Sequence, residues 1–221
     1  MTGTVFLNYQ RKYYSDTAVQ SLDVCITELH VVERLGISAA INEGLKYWFE
    51  DNNADAVYIC ANDIKMPEGY RAKIDEALAA IPETGVVAIH CVESLPPVQT
   101  VNGIDIHPAW GVFGNYLLTR KGFEKVGYWN TEHDPYGMND SDYCYRLHKA
   151  GFINYYISGL QATHLDNDFG SNTPYRKMKD EGLSKAGETF AKWQQVYDKG
   201  QLYLPYEQES IILNMKQMEG Q

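Results

Sequence analysis

Residues 55–61, Asp-Ala-Val-Tyr-Ile-Cys-Ala, form an apolar run that stops abruptly at Asn62-Asp63. A short run without polar alternation is what a strand buried on both faces requires, and such strands belong to parallel sheets covered by helices. The surrounding sequence repeats the theme. Thr4–Asn8 reads as a first buried strand ending in Asn8-Tyr9-Gln10-Arg11, Asp16–Leu22 as one or two helical turns, and Cys25–Val32 as a second strand. From Gly36 to Glu50 the apolar residues Ile37, Ala40, Ile41, Leu45, Trp48 and Phe49 follow helical spacing, with Ser38 placed to cap. Pro67 opens a further helix through Ala80, and Gly85–Cys91 is another buried strand. This alternation predicts an α/β chain with a parallel sheet and crossover helices.

Beyond residue 91 the pattern loosens. Proline-rich Ser94–Pro108 reads as an irregular connection or hairpin, Trp110–Leu118 as a strand, and Arg120–Val126 as a short helix. Asn139–Ala150 reads as a helix closed by Gly151, Phe152–Ile157 and Leu160–His164 as strands, and the stretch from Pro174 as a charged helical extension. A length of 221 residues predicts one compact domain over 1–221, with 174–221 as that extension. Hydrophobic residues at 44% and charged residues at 22% exclude collagen-like, disordered and coiled-coil classes. The net charge of −10 makes nucleic acid and anionic lipid poor partners, although a local basic groove could coexist with it. The four cysteines are scattered without a CxxC pair, there is no leader-like start, and no apolar stretch reaches about 18–20 residues. The expectation is a soluble cytoplasmic protein with buried reduced thiols.

In an open parallel sheet, ligands bind beyond the carboxyl ends of the strands. Asn8 and Asn62-Asp63 fall there. A carboxylate at such an end is a natural oxygen ligand for Mg2+ or Mn2+, although Asp63 could equally cap the turn into the Pro67 helix. A second constellation runs from Tyr136 through Asn139, Asp140, Ser141 and Asp142 to Arg146. Asn139 or Asp140 suits a helix N-cap, and acidic groups in a first turn are favoured by the helix dipole. A carboxylate held ionised there also suits a general base. Asp142 and Arg146 are spaced as an i,i+4 pair. His164, 22 residues after Asp142, could complete a metal site with Asp63 or be structural. Seventeen of the aromatic residues are tyrosine, and six of those lie between Tyr128 and Tyr156, bracketing Asp140. Tyr143 and Tyr145 read as core.

Taken in order, these stretches resemble the GT-A glycosyltransferases, specifically the family-2-like group that uses nucleotide-diphosphate sugars. Asn8-Tyr9-Gln10-Arg11 resembles the opening "YNR", and the helix carrying Gly36, Ala40, Asn42 and Gly44 resembles "G-x-x-x-A-x-N-x-G". Asn62-Asp63 with Pro67 resembles the "DxD" strand end. The stretch Gly111 to Asn130 resembles "G…R..FE.VG.F(D/N)". Asn139-Asp140-Ser141-Asp142 with Arg146-Leu147 and Gly151 resembles "E-D-x-D…R-L…G", His164 resembles the histidine that follows, and Lys192-Trp193 the late "KW". The likeness covers roughly residues 4–195. It departs in two motifs, since "DxD" keeps only its last aspartate as Asp63 and "ED" becomes Asn139-Asp140. The stretch from Asp23 to Glu33 is also too short for the usual "DDGSTD"-like base-binding loop.

The resemblance implies a three-layer α/β/α sandwich around a mostly parallel sheet, and a metal-dependent sugar transfer with inversion. It implies Asp63 and His164 as ligands of Mn2+ or Mg2+, Asp140 as base, and Asp142 as second choice for that role. Asn8, Arg11, Asn42 and Asn62 would touch the donor, and Trp110, Trp129 and Tyr136 would offer flat faces to an acceptor sugar. The acceptor could be a glycan, a lipid-linked sugar, a protein or a modified nucleobase. The rival is a noncatalytic sugar- or nucleotide-binding remnant of the fold, which the trimmed loop and lost carboxylates favour. A metal-dependent nucleotidyltransferase is a third reading, against which stands the lack of a Gly-rich phosphate loop after the first strand.

Overall fold

A computed structural model describes residues 1–7, 12–22, 27–29, 36–91, 94–165, 171–206 and 215–217. The chain order is β1 (Thr2–Leu7), α1 (Lys12–Gln20), β2 (Thr27–Leu29), α2 (Ile37–Leu45), β3 (Ala56–Ala61), β4 (Ile64–Lys65), α3 (Tyr70–Ala80) and β5 (Thr84–His90). It continues with β6 (Gln99–Val101), β7 (Ile104–Pro108), β8 (Tyr116–Thr119), α4 (Arg120–Val126), α5 (Asn139–Lys149), β9 (Ile153–Gln161), β10 (Thr163–His164), α6 (Pro174–Tyr197) and β11 (Met215–Gln217). A π-helical turn, Lys46–Asp51, extends α2.

Seven strands make the central sheet in the order β1-β3-β8-β5-β9-β7-β6. β1 pairs parallel with β3 and β5 with β9, while β8 runs against both β3 and β5. Adding the antiparallel β9–β7 and β7–β6 pairs, five of the seven strands point the same way. The proline-rich stretch is indeed a hairpin, β6–β7. The strand expected over Trp110–Leu118 starts only at Tyr116, because residues 110–113 are drawn onto α5 instead: Gly111 lies against Ser141.

Alternate residues of each strand feed opposite sides. Val5, Val57 and Ile59 join Ile41, Leu45, Phe123 and Leu147 beneath α2, α4 and α5. Phe6, Tyr58 and Cys60 join Ala18, Tyr70, Ile74 and Ala77 beneath α1 and α3. The result is a three-layer α/β/α arrangement. Each wholly buried large apolar side chain contributes about 1.5–3 kcal/mol.

Helix ends differ from the sequence expectation at two places. Ser38 lies inside α2, and the cap comes from elsewhere in the chain: Asp134 accepts hydrogen bonds from Ser38 N (2.8 Å) and Ala39 N (3.1 Å). A Cβ at Gly36 would collide with that carboxylate, so glycine is required there by close approach. At α5 neither Asn139 nor Asp140 caps. Met138 does so in the left-handed conformation (φ 56°), which places both polar residues in the first turn. For α6, Thr173 accepts from Arg176 N, and Pro174 opens the helix as its sequence suggests. No helix among the described residues is long and apolar enough to cross a membrane.

Candidate active site

The carboxyl end of β3 passes through Asn62 and Asp63 into β4, which pairs antiparallel with β10 so that Ile64 faces His164. This pairing brings the Asp63 and His164 side chains together, with His164 Nε2 3.6 Å from Asp63 Oδ2. Leu165 N donates to Asp63 O (2.7 Å) and fixes the turn. Asp63 is mostly covered, at 14% exposure, while His164 is 38% exposed and borders solvent. Cys91 closes β5 nearby; burial, helped by the charge of Asp63, pushes its thiol up to about 11, so it stays protonated at neutral pH. One oxygen and one imidazole nitrogen make a donor set suited to Mn2+ or Mg2+, which draw remaining ligands from water and phosphate. Among the described residues no group of three or more His, Cys, Asp or Glu is arranged to hold a metal.

β8 links this pair to the second constellation. Its preceding residue, Asn115, is buried and accepts from Ala61 N at the end of β3 (2.7 Å), while its Nδ2 has no partner among the described residues. The next residue, Tyr116, donates its hydroxyl to Asp140 Oδ1 (2.8 Å). Asp140 is half-buried at the start of α5, and burial raises its carboxyl to about 6 against the opposing pull of the Tyr116 hydrogen bond. It is therefore largely ionised at neutral pH and more basic than an ordinary aspartate. The first turn is braced by Asn139, whose Oδ1 accepts from Gly137 N (2.7 Å) and whose Nδ2 donates to Ser38 Oγ (2.7 Å).

Three residues expected to contact ligands have other work. Asn42 is wholly buried: its Nδ2 donates to Trp129 O (2.9 Å) and its Oδ1 accepts from Trp129 N (2.7 Å), which leaves no face for a donor. Trp129 is buried too. Its rings stack with Tyr143 (3.4 Å between centroids) and Tyr116 (6.3 Å), and at 3% exposure it offers no open surface to a sugar. Asp142 is buried, and its oxygens accept from Arg146 Nε (3.0 Å), from Tyr197 Oη (2.8 Å) and pair with His133 Nε2 (3.0 Å). Burial alone would raise its carboxyl, but Arg146 and His133 outweigh that and hold it below the usual range. A carboxylate so engaged is not placed to take a proton from an acceptor. Arg146 completes the cluster by donating to Val126 O (2.6 Å) and Tyr128 O (2.8 Å).

The other candidates divide. Asn62 is buried beside Asp63 at the end of β3. Trp110 is 67% exposed, but its ring lies over Tyr145 and His148 (both 5.5 Å), well along α5 from Asp140. Tyr136 is half-buried with Lys179 of α6 over its ring (5.2 Å). Asn8, Arg11 and most of the Asp23–Glu33 stretch lie outside the described residues; within that stretch, β2 pairs antiparallel with β11. Of the tyrosine cluster, Tyr128, Tyr143, Tyr145, Tyr155 and Tyr156 are core. Sequence reasoning missed Tyr116 and Asn115, which carry no motif; only their place at the start of β8, beside β3, gives them meaning. Phe113, 44% exposed and packed near Gly111 beside Ser141, was also missed.

No protein-family profile matches this chain, and no curated protein is similar to it in sequence. Solved structures are similar in fold. A mutant of Drosophila β1,4-galactosyltransferase 7, in complex with manganese, UDP-Gal and xylobiose, superposes with a TM-score of 0.54 at 14% identity, covering 80% of this chain and 74% of that one. The mannosyltransferase of Pyrobaculum calidifontis, in complex with GDP-Man and Mn2+, gives 0.54 at 13% identity, over 76% of this chain and 58% of the other. GalNAc-T7 with UDP, GalNAc and Mn2+ gives 0.57 at 8% identity, over 79% of this chain and 45% of the other. The chain thus has a GT-A-like fold, as the motif order implied.

Proposed function

We propose that this chain transfers a sugar from a nucleotide-diphosphate sugar to an acceptor hydroxyl, with inversion at the anomeric carbon. The observation that carries the reading is the placement, on consecutive residues leading into β8, of Asn115 against the Asp63 strand end and Tyr116 against the Asp140 carboxylate. Asp63 and Asp140 therefore both border the junction of the β3 carboxyl end with the start of β8, which supports a shared site. The solved structures of similar fold hold nucleotides or nucleotide sugars together with manganese, which supports a donor and a divalent cation of that kind here.

Asp63 and His164 would hold Mn2+ or Mg2+, which when bound would offset charge on the donor diphosphate as the nucleotide departs. Asp140 would take the acceptor's proton on Oδ2, since Oδ1 is occupied by Tyr116. The acceptor oxygen then attacks the anomeric carbon from the side opposite the leaving phosphate, and direct displacement inverts that carbon. Asp142 would hold α5 in place. Trp110 and Tyr136 remain candidates for outer acceptor contacts, joined by Phe113. Asn62, and Asn8 and Arg11, are proposed on the donor side. The whole of 1–221 would act as one compact unit.

The test is turnover of a panel of nucleotide sugars with and without Mn2+, for wild type, Asp63→Ala and Asp140→Asn. Metal-dependent turnover lost in both variants is expected. The absence of a third metal-binding side chain among the described residues favours the rival reading, a noncatalytic binding remnant. No metal-dependent turnover with any donor, alongside undiminished nucleotide binding, would establish that rival.

A further inference from the structure

Asn42 and Trp129, unavailable to ligands, lead step by step to the candidate base. Asn42 clamps the Trp129 backbone through both atoms of its amide. The Trp129 rings lie nearly parallel to those of both Tyr143 (12°) and Tyr116 (13°), stacked with each. Tyr143 is itself tied down by donating its hydroxyl to Gly127 O (2.8 Å). The column ends at Tyr116, 3% exposed, whose hydroxyl reaches Asp140 Oδ1 at 2.8 Å.

We propose that Tyr116 is a positioning residue for the Asp140 carboxylate: held by the stacked column Tyr116–Trp129–Tyr143, its hydroxyl binds one oxygen and turns the other toward the acceptor. The inference rests on the reading of Asp140 as base. A flexible carboxylate at a helix start has several rotamers, and a fixed phenol donor selects one of them. Burial, and then the charge of Asp140, push the Tyr116 phenol well above its ordinary value, so it remains a donor throughout the working pH range. Among the described residues, Cys144, one turn along α5, and Tyr156 on β9 also sense Asp140; burial raises both, the thiol to about 12, so they are neutral. Tyr116 is thus the group that opposes the upward pull of burial on Asp140.

Tyr116→Phe removes the hydroxyl and keeps the ring in the stack. Carboxyl 13C NMR titration, with Asp140 assigned from Asp140→Asn, reads the base without any substrate. The midpoint should rise by about one pH unit, the loss expected for a hydrogen bond to a charged group. In the transfer assay kcat should fall at least about tenfold with the donor KM unchanged, and the acid limb of the pH profile should move up with the NMR midpoint. Placing 3-fluorotyrosine at position 116 strengthens the donor and should lower the midpoint, which keeps the test alive if Tyr116→Phe misfolds. An unchanged midpoint in either substituted protein overturns the proposal. Full transfer activity in Asp140→Asn would instead overturn the base reading, whatever the NMR result.

Discussion

If burial holds Asp140 in a costly ionised state, removing its charge should make the protein more stable at neutral pH. Asp140→Asn preserves the shape and an oxygen for the Tyr116 hydroxyl. The folded-state carboxyl titrates near 6 against an ordinary 3.8, and at 1.36 kcal/mol per pH unit this gap corresponds to about 3 kcal/mol. The folded value is the higher one, so stability tied to this group is complete below pH 4 and declines as pH rises toward and through 6. Solvent contact of a half-buried group reduces the figure, and about 1–3 kcal/mol of added stability is expected for the variant at pH 8. By the same linkage the advantage shrinks to about 1 kcal/mol or less at pH 4.5 and vanishes near pH 3. Urea unfolding of both proteins at pH 8 and pH 4.5 measures this directly, because effects common to the two proteins cancel. A variant no more stable than wild type at pH 8, or equally favoured at both pH values, would refute the argument. Such a result would mean that Asp140 is better solvated or better hydrogen-bonded than its surroundings indicate.

The remaining expectations are simpler to state. Arg146→Ala strips the partner from wholly buried Asp142 and should cost about 3–5 kcal/mol in thermal or chemical unfolding; a loss below about 1 kcal/mol would contradict the cluster. Gly36→Ala forces its Cβ into the Asp134 carboxylate and should lower Tm with a cost of about 1–3 kcal/mol, relieved by Asp134→Gly in the same chain. Mn2+ binding followed by electron paramagnetic resonance, in the presence of a nucleoside diphosphate, should weaken at least about tenfold in both Asp63→Ala and His164→Ala. Equal affinity in all three proteins would remove this pair from the metal reading.

The strand–helix alternation and the motif order carry the fold because they depend on local patterning. Ile37, Ile41 and Leu45 announce α2 by their spacing, and the apolar stretch ending at Ala61 announces β3. The meeting of Asp63, between β3 and β4, with His164, at the end of β10, follows the motif order that the resemblance implied and not local patterning. What failed were the polar residues whose partners lie far along the chain. Nothing local distinguishes an asparagine that binds a donor from Asn42, which is consumed by a backbone 87 residues away. Likewise Asp134 caps a helix 96 residues upstream, a role no window of sequence around α2 could reveal. Tyr116 was invisible because its importance lies wholly in where β8 inserts.

The dependence of α5 on α6 bears on how the chain is made. Asp142 receives the hydroxyl of Tyr197, Leu202 O lies 3.4 Å from Arg146 Nη1, and the Leu204 backbone bonds with Val126 and Tyr128. These partners lie in residues 197–204, which leave the ribosome after every strand of the central sheet, the last of which, β9, ends at Gln161. A chain leaves the ribosome from its N-terminal side. Here that order leaves Asp142 and Arg146 without full cover until residues 197–202 have been added. The sheet strands are all made first, and the helix bearing Asp140 acquires its final seat only once α6 and the residues just after it have emerged.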